Sequence, residues 1–252
     1  MKRKLTTPRG SLERMARTSL RDSGSSMRRL EHANASAVAA AAEAAIISLQ
    51  NGGTMYFCGN GGSAADAQHL AAELAGRYTF DRPPLPAVAL TTNSSSVTAI
   101  GNDYGYDQVF SRQLEGLGLA GDVLVAISTS GSSANVTRAV ESAKRLGMTV
   151  IGFTGAKGSS FAAKCDLALI TPSFSTPRIQ EGHIAMGHAW CELIERTLFE
   201  GGGSATSRTA PKPKRVVALK PASRKRAATA KAARPKRAKG SLKPRAGAMR
   251  TR

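Results

Sequence analysis

No run of about 18 apolar residues occurs anywhere along the chain, which excludes a transmembrane helix. Cysteine is scarce: Cys58, Cys165 and Cys191 have neither CxxC nor finger-like spacing. That argues against a disulfide framework or a cysteine-based zinc site and leaves buried thiols in a reducing compartment, hence a cytoplasmic protein. The start, MKRK, is basic but lacks the apolar stretch of a secretory signal. Its Arg and Ser content is compatible with a mitochondrial transit peptide, and an extended start with Met15 or Met27 as the true first residue is the competing reading. Residues 201–252 contain no aromatic side chain, so they cannot form a base-stacking platform for sequence-specific single-strand binding.

Acidic residues are missing from that same tail, and this decides how the net charge of +19 is read. Residues 201–252 hold seventeen Lys/Arg and no acid, residues 1–30 nine against two, and residues 31–200 ten against fifteen. A mildly acidic body therefore sits between two basic ends. Three regions follow: a basic N-terminal extension over 1–30, partly helical; a domain over 31–200; and a tail over 201–252. The tail is Lys, Arg, Ala and Pro with few large apolar residues. It cannot bury enough surface to offset its ordering entropy and reads as disordered. Its charge would hold polyanions such as nucleic acid without sequence preference and with steep salt dependence.

Between the ends, short apolar runs alternate with helical patterns. TMYFCG (54–59), PAVALTT (86–92), DVLVAIS (122–128), TVIGFTG (149–155) and DLALITP (166–172) read as strands. Helices are expected over 31–50, with a glycine stop, and over 63–76, 95–101, 107–118, 134–147 and 177–199, with a weakly signalled one over 8–21. Alternation of this kind makes an α/β fold: a doubly wound three-layer sandwich with a central parallel sheet, its strands buried on both faces.

Two loops carry the chemistry. Gly59-Asn60-Gly61-Gly62-Ser63-Ala64 matches the G-x-G-x-x-A dinucleotide fingerprint between a strand and a helix. The fingerprint also needs an acid after the second strand, and that strand ends in ALTTNSSS; Asp81 lies before it. What remains is a set of backbone N–H groups at a helix start, with Ser63 as N-cap, which favours an anion. Ser128-Thr129-Ser130-Gly131-Ser132-Ser133 places five hydroxyls and a glycine at a second helix start. This composition suits a phosphate held by neutral donors and a helix dipole rather than by lysine. Each loop alone could be an ordinary β–α turn with serine caps. Together, at neighbouring strand ends, they would face one crevice.

His69 and Glu73 stand at i and i+4 on the helix behind the first loop, and Gln180 and His188 lie on the last helix. A helical His/Glu pair with a distant His is a nitrogen and oxygen set for zinc. Each histidine taken singly reads as well as a core or interface residue. Gln180 and His188 are about 12 Å apart along a straight helix. An ion shared by both must sit between them, or another subunit must contribute.

The stretches CGNGGSAADAQHLAAELAGRY, AIGNDYGYDQVFSRQLEGLG, GDVLVAISTSGSSANVTRAVESAKRLGMTVIGFTG and RIQEGHIAMGHAWCELIE resemble the sugar isomerase (SIS) domain family, specifically its phosphoheptose isomerases. The likeness spans most of 31–198 and leaves out the tail. It implies an aldose–ketose isomerase acting on sedoheptulose 7-phosphate in heptose precursor biosynthesis, built as a tetramer with one zinc per subunit. By position it implies substrate contacts at Asn60, Gly61, Gly62, Ser63, Asn102, Asp103, Ser128, Thr129, Ser130, Ser133 and Gln180. The metal would be held by His69, Glu73, Gln180 and His188, with Glu73 as base and His188 as acid. Arg77, one turn past Glu73, would add charge near the phosphate. The competing function is a non-catalytic SIS protein that binds a replication initiator or DNA, which the tail favours and the His/Glu/Gln/His set does not. A sugar-phosphate-sensing regulator would need a helix-turn-helix segment, and none is present. The chain departs from the family at Pro177 and in its N-terminal helices, which bear on the subunit interfaces.

Overall fold

Each predicted apolar run forms a strand: β1 (Met55–Gly59), β2 (Ala87–Ala89), β3 (Val123–Ser128), β4 (Thr149–Gly155) and β5 (Leu167–Thr171). The structure, a computed structural model, describes residues 9–200; the first eight residues and the basic tail from 201 lie outside the described residues. All strands are parallel, in the order β2-β1-β3-β4-β5, as the sandwich reading requires. β2 is shorter than predicted. It is an edge strand paired with β1, and beyond it the chain leaves the ladder in a turn in which Thr92 N–H donates to Ala89 O at 3.3 Å.

Helices cover both faces: α1 (Arg9–Gln50), α2 (Gly62–Ala75), α3 (Ser94–Tyr104), α4 (Ser111–Leu117), α5 (Ala134–Arg145), α6 (Ser159–Ala162) and α7 (Thr176–Phe199). Alternate strand residues serve the two faces. Phe57, Val125, Ile127 and Phe153 pack under α1, α2 and α7 with Leu70, Leu74 and Trp190. Tyr56, Leu124, Ala126 and Val150 pack under α4 and α5 with Phe110, Leu114, Val136 and Val140. Trp190 is fully buried and meets Phe57 edge-on at 6.0 Å.

Three local expectations are corrected. The segments over 8–21 and 31–50 are one 42-residue helix, α1. Its N-terminal half is mostly exposed and so lacks the apolar stripe that marks a packed helix. Long-range bonds secure it to α7: Arg178 Nη1 donates to Ser19 O at 2.8 Å and Ser23 Oγ to Glu181 Oε2 at 2.8 Å. The helix expected over 107–118 divides into a 3₁₀ turn (Tyr106–Gln108) and α4. The single turn α6 was not anticipated. All three cysteines are free thiols, and burial pushes each upward, Cys165 to about 12. No helix among the described residues is long and apolar enough to cross a membrane.

Candidate active site

From β1 the chain winds to β2 on one side, then returns to place β3 on the other. The loops after β1 and β3 therefore flank the point where the winding reverses, the usual crevice of such sheets. A reciprocal amide pair joins them: Asn60 Nδ2 donates to Asn135 Oδ1 and Asn135 Nδ2 to Asn60 Oδ1, both at 2.8 Å. Asn135 is buried at the start of α5, and its Oδ1 also accepts from Val136 N–H. Tyr106 Oη donates to Asn60 Oδ1 at 3.3 Å.

Neither N-cap residue makes a side-chain cap bond, although Asn135 Oδ1 accepts from Val136 N–H within the first turn of α5. Ser63, expected as the N-cap of α2, instead lies inside the first turn and is buried; Gly61, at φ 56°, occupies the cap. Ser133 occupies the cap of α5 without a side-chain cap bond, and its hydroxyl accepts from Ser128 Oγ at 3.2 Å. Ser128 Oγ in turn accepts from Gly131 N–H at 3.1 Å, and Ser130 Oγ lies 2.8 Å from Ser132 Oγ. The hydroxyl loop is thus pre-shaped by its own bonds, beside the start of α5, whose N-cap Ser133 makes no side-chain cap bond.

α2 and α7 run side by side in the same direction, brought together by small residues. A Cβ at Gly62 would lie 2.3 Å from Gln180 Nε2, and one at Gly187 would lie 2.7 Å from Leu70 Cδ2. This close approach sets His69 against His188, Nε2 to Nε2 at 2.8 Å, while Glu73 Oε1 lies 3.2 Å from His69 Nε2. One donor atom from each of the three falls within 4.8 Å of the others. Two imidazole nitrogens and a carboxylate oxygen in this arrangement suit zinc. All three come from one chain. Gln180, two turns earlier on α7, stands instead against Gly62 of the first loop.

The end of α2 that carries Glu73 is tied down by a buried ion pair. Glu195 accepts from Tyr78 N–H (2.8 Å), Thr79 N–H (2.7 Å), Thr79 Oγ1 (2.6 Å) and Arg82 Nε (2.9 Å). Arg82 then donates to the carbonyls of Glu73 (2.8 Å) and Leu74 (2.9 Å). Burial alone would raise the Glu195 carboxyl, but the bonds from Thr79, Tyr78 and Arg82 outweigh it and hold it at about 2. Tyr78 flanks His188, ring centroids 5.9 Å apart. Asp66, one turn before His69, has a buried Oδ2 without a partner; burial pushes its carboxyl up to about 6, with His69 opposing.

Other anticipated residues stand apart from this cluster. Arg77 is exposed and, among the described residues, donates only to Thr79 O at 3.4 Å, and Asn102 and Asp103, exposed on α3, bond each other at 2.8 Å. Asn135, Tyr78, Arg82 and Glu195 were not singled out from sequence. An Asn directly after the hydroxyl loop was a usable signal for the first. Arg82 and Glu195 are separated by 113 residues and leave no local pattern.

The SIS domain family profile matches residues 20–155. Phosphoheptose isomerase of Rhodospirillum rubrum is 59% identical over 164 residues, which cover 65% of this chain and 87% of that one. The solved phosphoheptose isomerase of Neisseria gonorrhoeae aligns with a TM-score of 0.69 at 47% identity, over 73% of this chain and 98% of that one. That of Francisella tularensis aligns with 0.71 at 38% identity, over 74% and 98%. The chain belongs to the SIS domain family, in the branch of the phosphoheptose isomerases.

Proposed function

We propose that this enzyme interconverts sedoheptulose 7-phosphate and D-glycero-D-manno-heptose 7-phosphate, an aldose–ketose isomerisation. The observation that carries the reading is the meeting of His69, Glu73 and His188 beside two loops shaped for a sugar phosphate. The reaction moves a proton between C1 and C2 through an enediol. Glu73 takes the proton from C1 of the ketose and returns it to C2. His188 supplies a proton to O2 and receives the one released from O1. General acid–base catalysis of this kind contributes about 10²–10⁴ in rate. Glu73 directs Oε1 to His69, and Oε2 has no partner among the described residues, so one oxygen is free for the substrate.

His69, Glu73 and His188 would hold one zinc per subunit, which would polarise the substrate carbonyl, and Gln180, which stands against Gly62, would join as a fourth ligand by turning its side chain toward them. Asn60, Gly61, Gly62, Ser63, Asn102 and Asp103 line the sugar, Ser128, Thr129, Ser130 and Ser133 take the phosphate, and Arg77 adds charge nearby. The enzyme works as a homotetramer in the cytoplasm. Support for assembly comes from α1, which exposes Leu12, Met15 and Leu20, and from an apolar groove of about 550 Å³ between α1 and α7. The tail holds nucleic acid nonspecifically; removing 201–252 leaves turnover intact and abolishes salt-sensitive retention on DNA. Incubation of the purified protein with sedoheptulose 7-phosphate tests the main reading: the aldose phosphate accumulates to an equilibrium mixture, and no product from metal-replete protein overturns it.

A further inference from the structure

Three β–α loops meet at the C-terminal ends of β3, β4 and β5, and backbone bonds hold them together. Gly155 N–H donates to Thr129 O at 3.1 Å, and Ala156 N–H donates to Ser173 O at 3.1 Å. The turn after β4 closes on itself through Gly158 N–H and Gly155 O at 2.9 Å. It presses against the hydroxyl loop so tightly that a Cβ at Gly131 would lie 2.7 Å from Gly158 Cα. Lys157 rides on this turn, 24 positions beyond the last serine of the hydroxyl loop.

Between the three loops lies a cavity of about 140 Å³ lined by Thr129, Ser130, Lys157, Phe174, Thr176 and Ile179. At about 30 Å³ per water it has room for four or five water molecules, a space suited to a phosphoryl group and too small for a heptose. Among the described residues Lys157 carries the only charge in this lining, which includes no carboxylate. Residues 9–200 contain three lysines, Lys144, Lys157 and Lys164. Lys144 pairs with Asp166 and Lys164 with Glu141, whereas Lys157 makes no hydrogen bond or ion pair among the described residues. An unpaired ammonium that shares its cavity with three hydroxyl-bearing residues, Thr129, Ser130 and Thr176, and with no acid among the described lining residues, is a setting for an anion. A phosphate monoester near neutral pH carries close to two negative charges, which hydroxyl donors solvate but do not neutralise.

We propose that Lys157 is a ligand for the terminal phosphate of the substrate, seated in this cavity on the hydroxyls of Thr129 and Ser130. This rests on the sugar-phosphate reading above and amends it: the sequence pointed to neutral donors rather than lysine, because the lysine arrives from a different loop.

The test uses full-length wild type, Lys157→Ala and Lys157→Arg, with inorganic phosphate as the first probe. The tail is present in all three proteins, so its own phosphate affinity cancels in the comparison. Saturable thermal stabilisation by phosphate is expected in wild type, with the apparent Kd raised about three- to tenfold in Lys157→Ala and largely restored in Lys157→Arg. In turnover of sedoheptulose 7-phosphate, kcat/KM of Lys157→Ala falls by a similar factor, mostly through KM, and added salt narrows the gap. An apparent phosphate Kd within about twofold of wild type in Lys157→Ala overturns the proposal. So does a wild type without saturable phosphate binding, or a variant that loses kcat at unchanged KM. The phosphate measurement needs no turnover, so failure of the isomerase reading alone leaves this result standing by itself.

Discussion

The Nε2 atoms of His69 and His188 face each other at 2.8 Å, and Glu73 Oε1 lies 3.2 Å from the first of them. Two imidazolium rings cannot take this position, since both Nε2 atoms would be donors. At least one ring is neutral with its lone pair directed inward, which is the state a metal ion requires. The Glu73 carboxylate, one helical turn after His69, adds a third donor without moving either ring.

Metal content follows from that geometry. Protein purified without chelator should carry about one zinc per chain, and His69→Ala should lower the bound fraction sharply while the fold survives. Chelation should abolish isomerase activity and added zinc restore it. Full turnover by rigorously metal-free protein would show that the ion is dispensable to the chemistry.

Glu73→Gln keeps the shape of the side chain and removes its basicity. The expected loss in kcat is about 10²–10⁴, with KM little changed. Exchange of the C1 proton with solvent deuterium should fall in parallel. A variant that still exchanges that proton at the wild-type rate would move the base elsewhere.

Asn135 touches neither of the histidines, yet it clamps the first loop to the start of α5 through Asn60. Asn135→Ala removes both 2.8 Å bonds and leaves the Asn60 amide with Tyr106 alone. Stability should fall by about 1–3 kcal/mol. Displacement of the first loop should lower kcat/KM by about tenfold to a hundredfold. Zinc content should stay at the wild-type level, which separates loosening of the loop from collapse of the metal cluster.

Much of this architecture was legible as pattern. The strands were continuous apolar runs, and His69 and Glu73 share a helical face because 3.6 residues make a turn. The first half of α1 was not, because an exposed helix held by single long-range bonds to Arg178 and Glu181 has no stripe to reveal it. Residue types alone left His188 ambiguous; family likeness assigned it, and the close approach at Gly187 sets it beside His69. Asn135, Arg82, Glu195 and Lys157 owe their roles to partners distant in sequence. Such pairings depend on which strand ends lie side by side, and local periodicity carries no record of that.

Arg82 and Glu195 form a pair with almost no solvent access. Glu195→Gln leaves a buried guanidinium without its counter-charge, at a cost of about 3–5 kcal/mol. Because Arg82 also holds the carbonyl of Glu73, kcat should drop as well, even though Glu195 does not reach His69 or His188. The stabilisation has a defined window: with the native carboxyl at about 2 against an ordinary 4.5, it is complete above 4.5 and is lost as pH falls toward 2. Acid unfolding of Glu195→Gln should therefore lack a pH-dependent component in that range.

His183 works in a higher window. It is fully buried on α7 with Phe153 edge-on at 5.8 Å, and the Thr154 backbone, its polar neighbour, offsets the burial only in part. Burial lowers it from 6.5 to about 4, so folding selects the neutral ring. Its contribution is whole above 6.5 and disappears as pH falls through 4. Asp66, raised from 3.8 to about 6, acts in the opposite sense over an overlapping range, which flattens the curve of the native protein. The comparison of His183→Phe with wild type cancels Asp66 and isolates the histidine. In urea unfolding the variant should gain about 3 kcal/mol on wild type between pH 6.5 and 4. A difference that stays constant across that range would mean that the ring is already protonated in the native state.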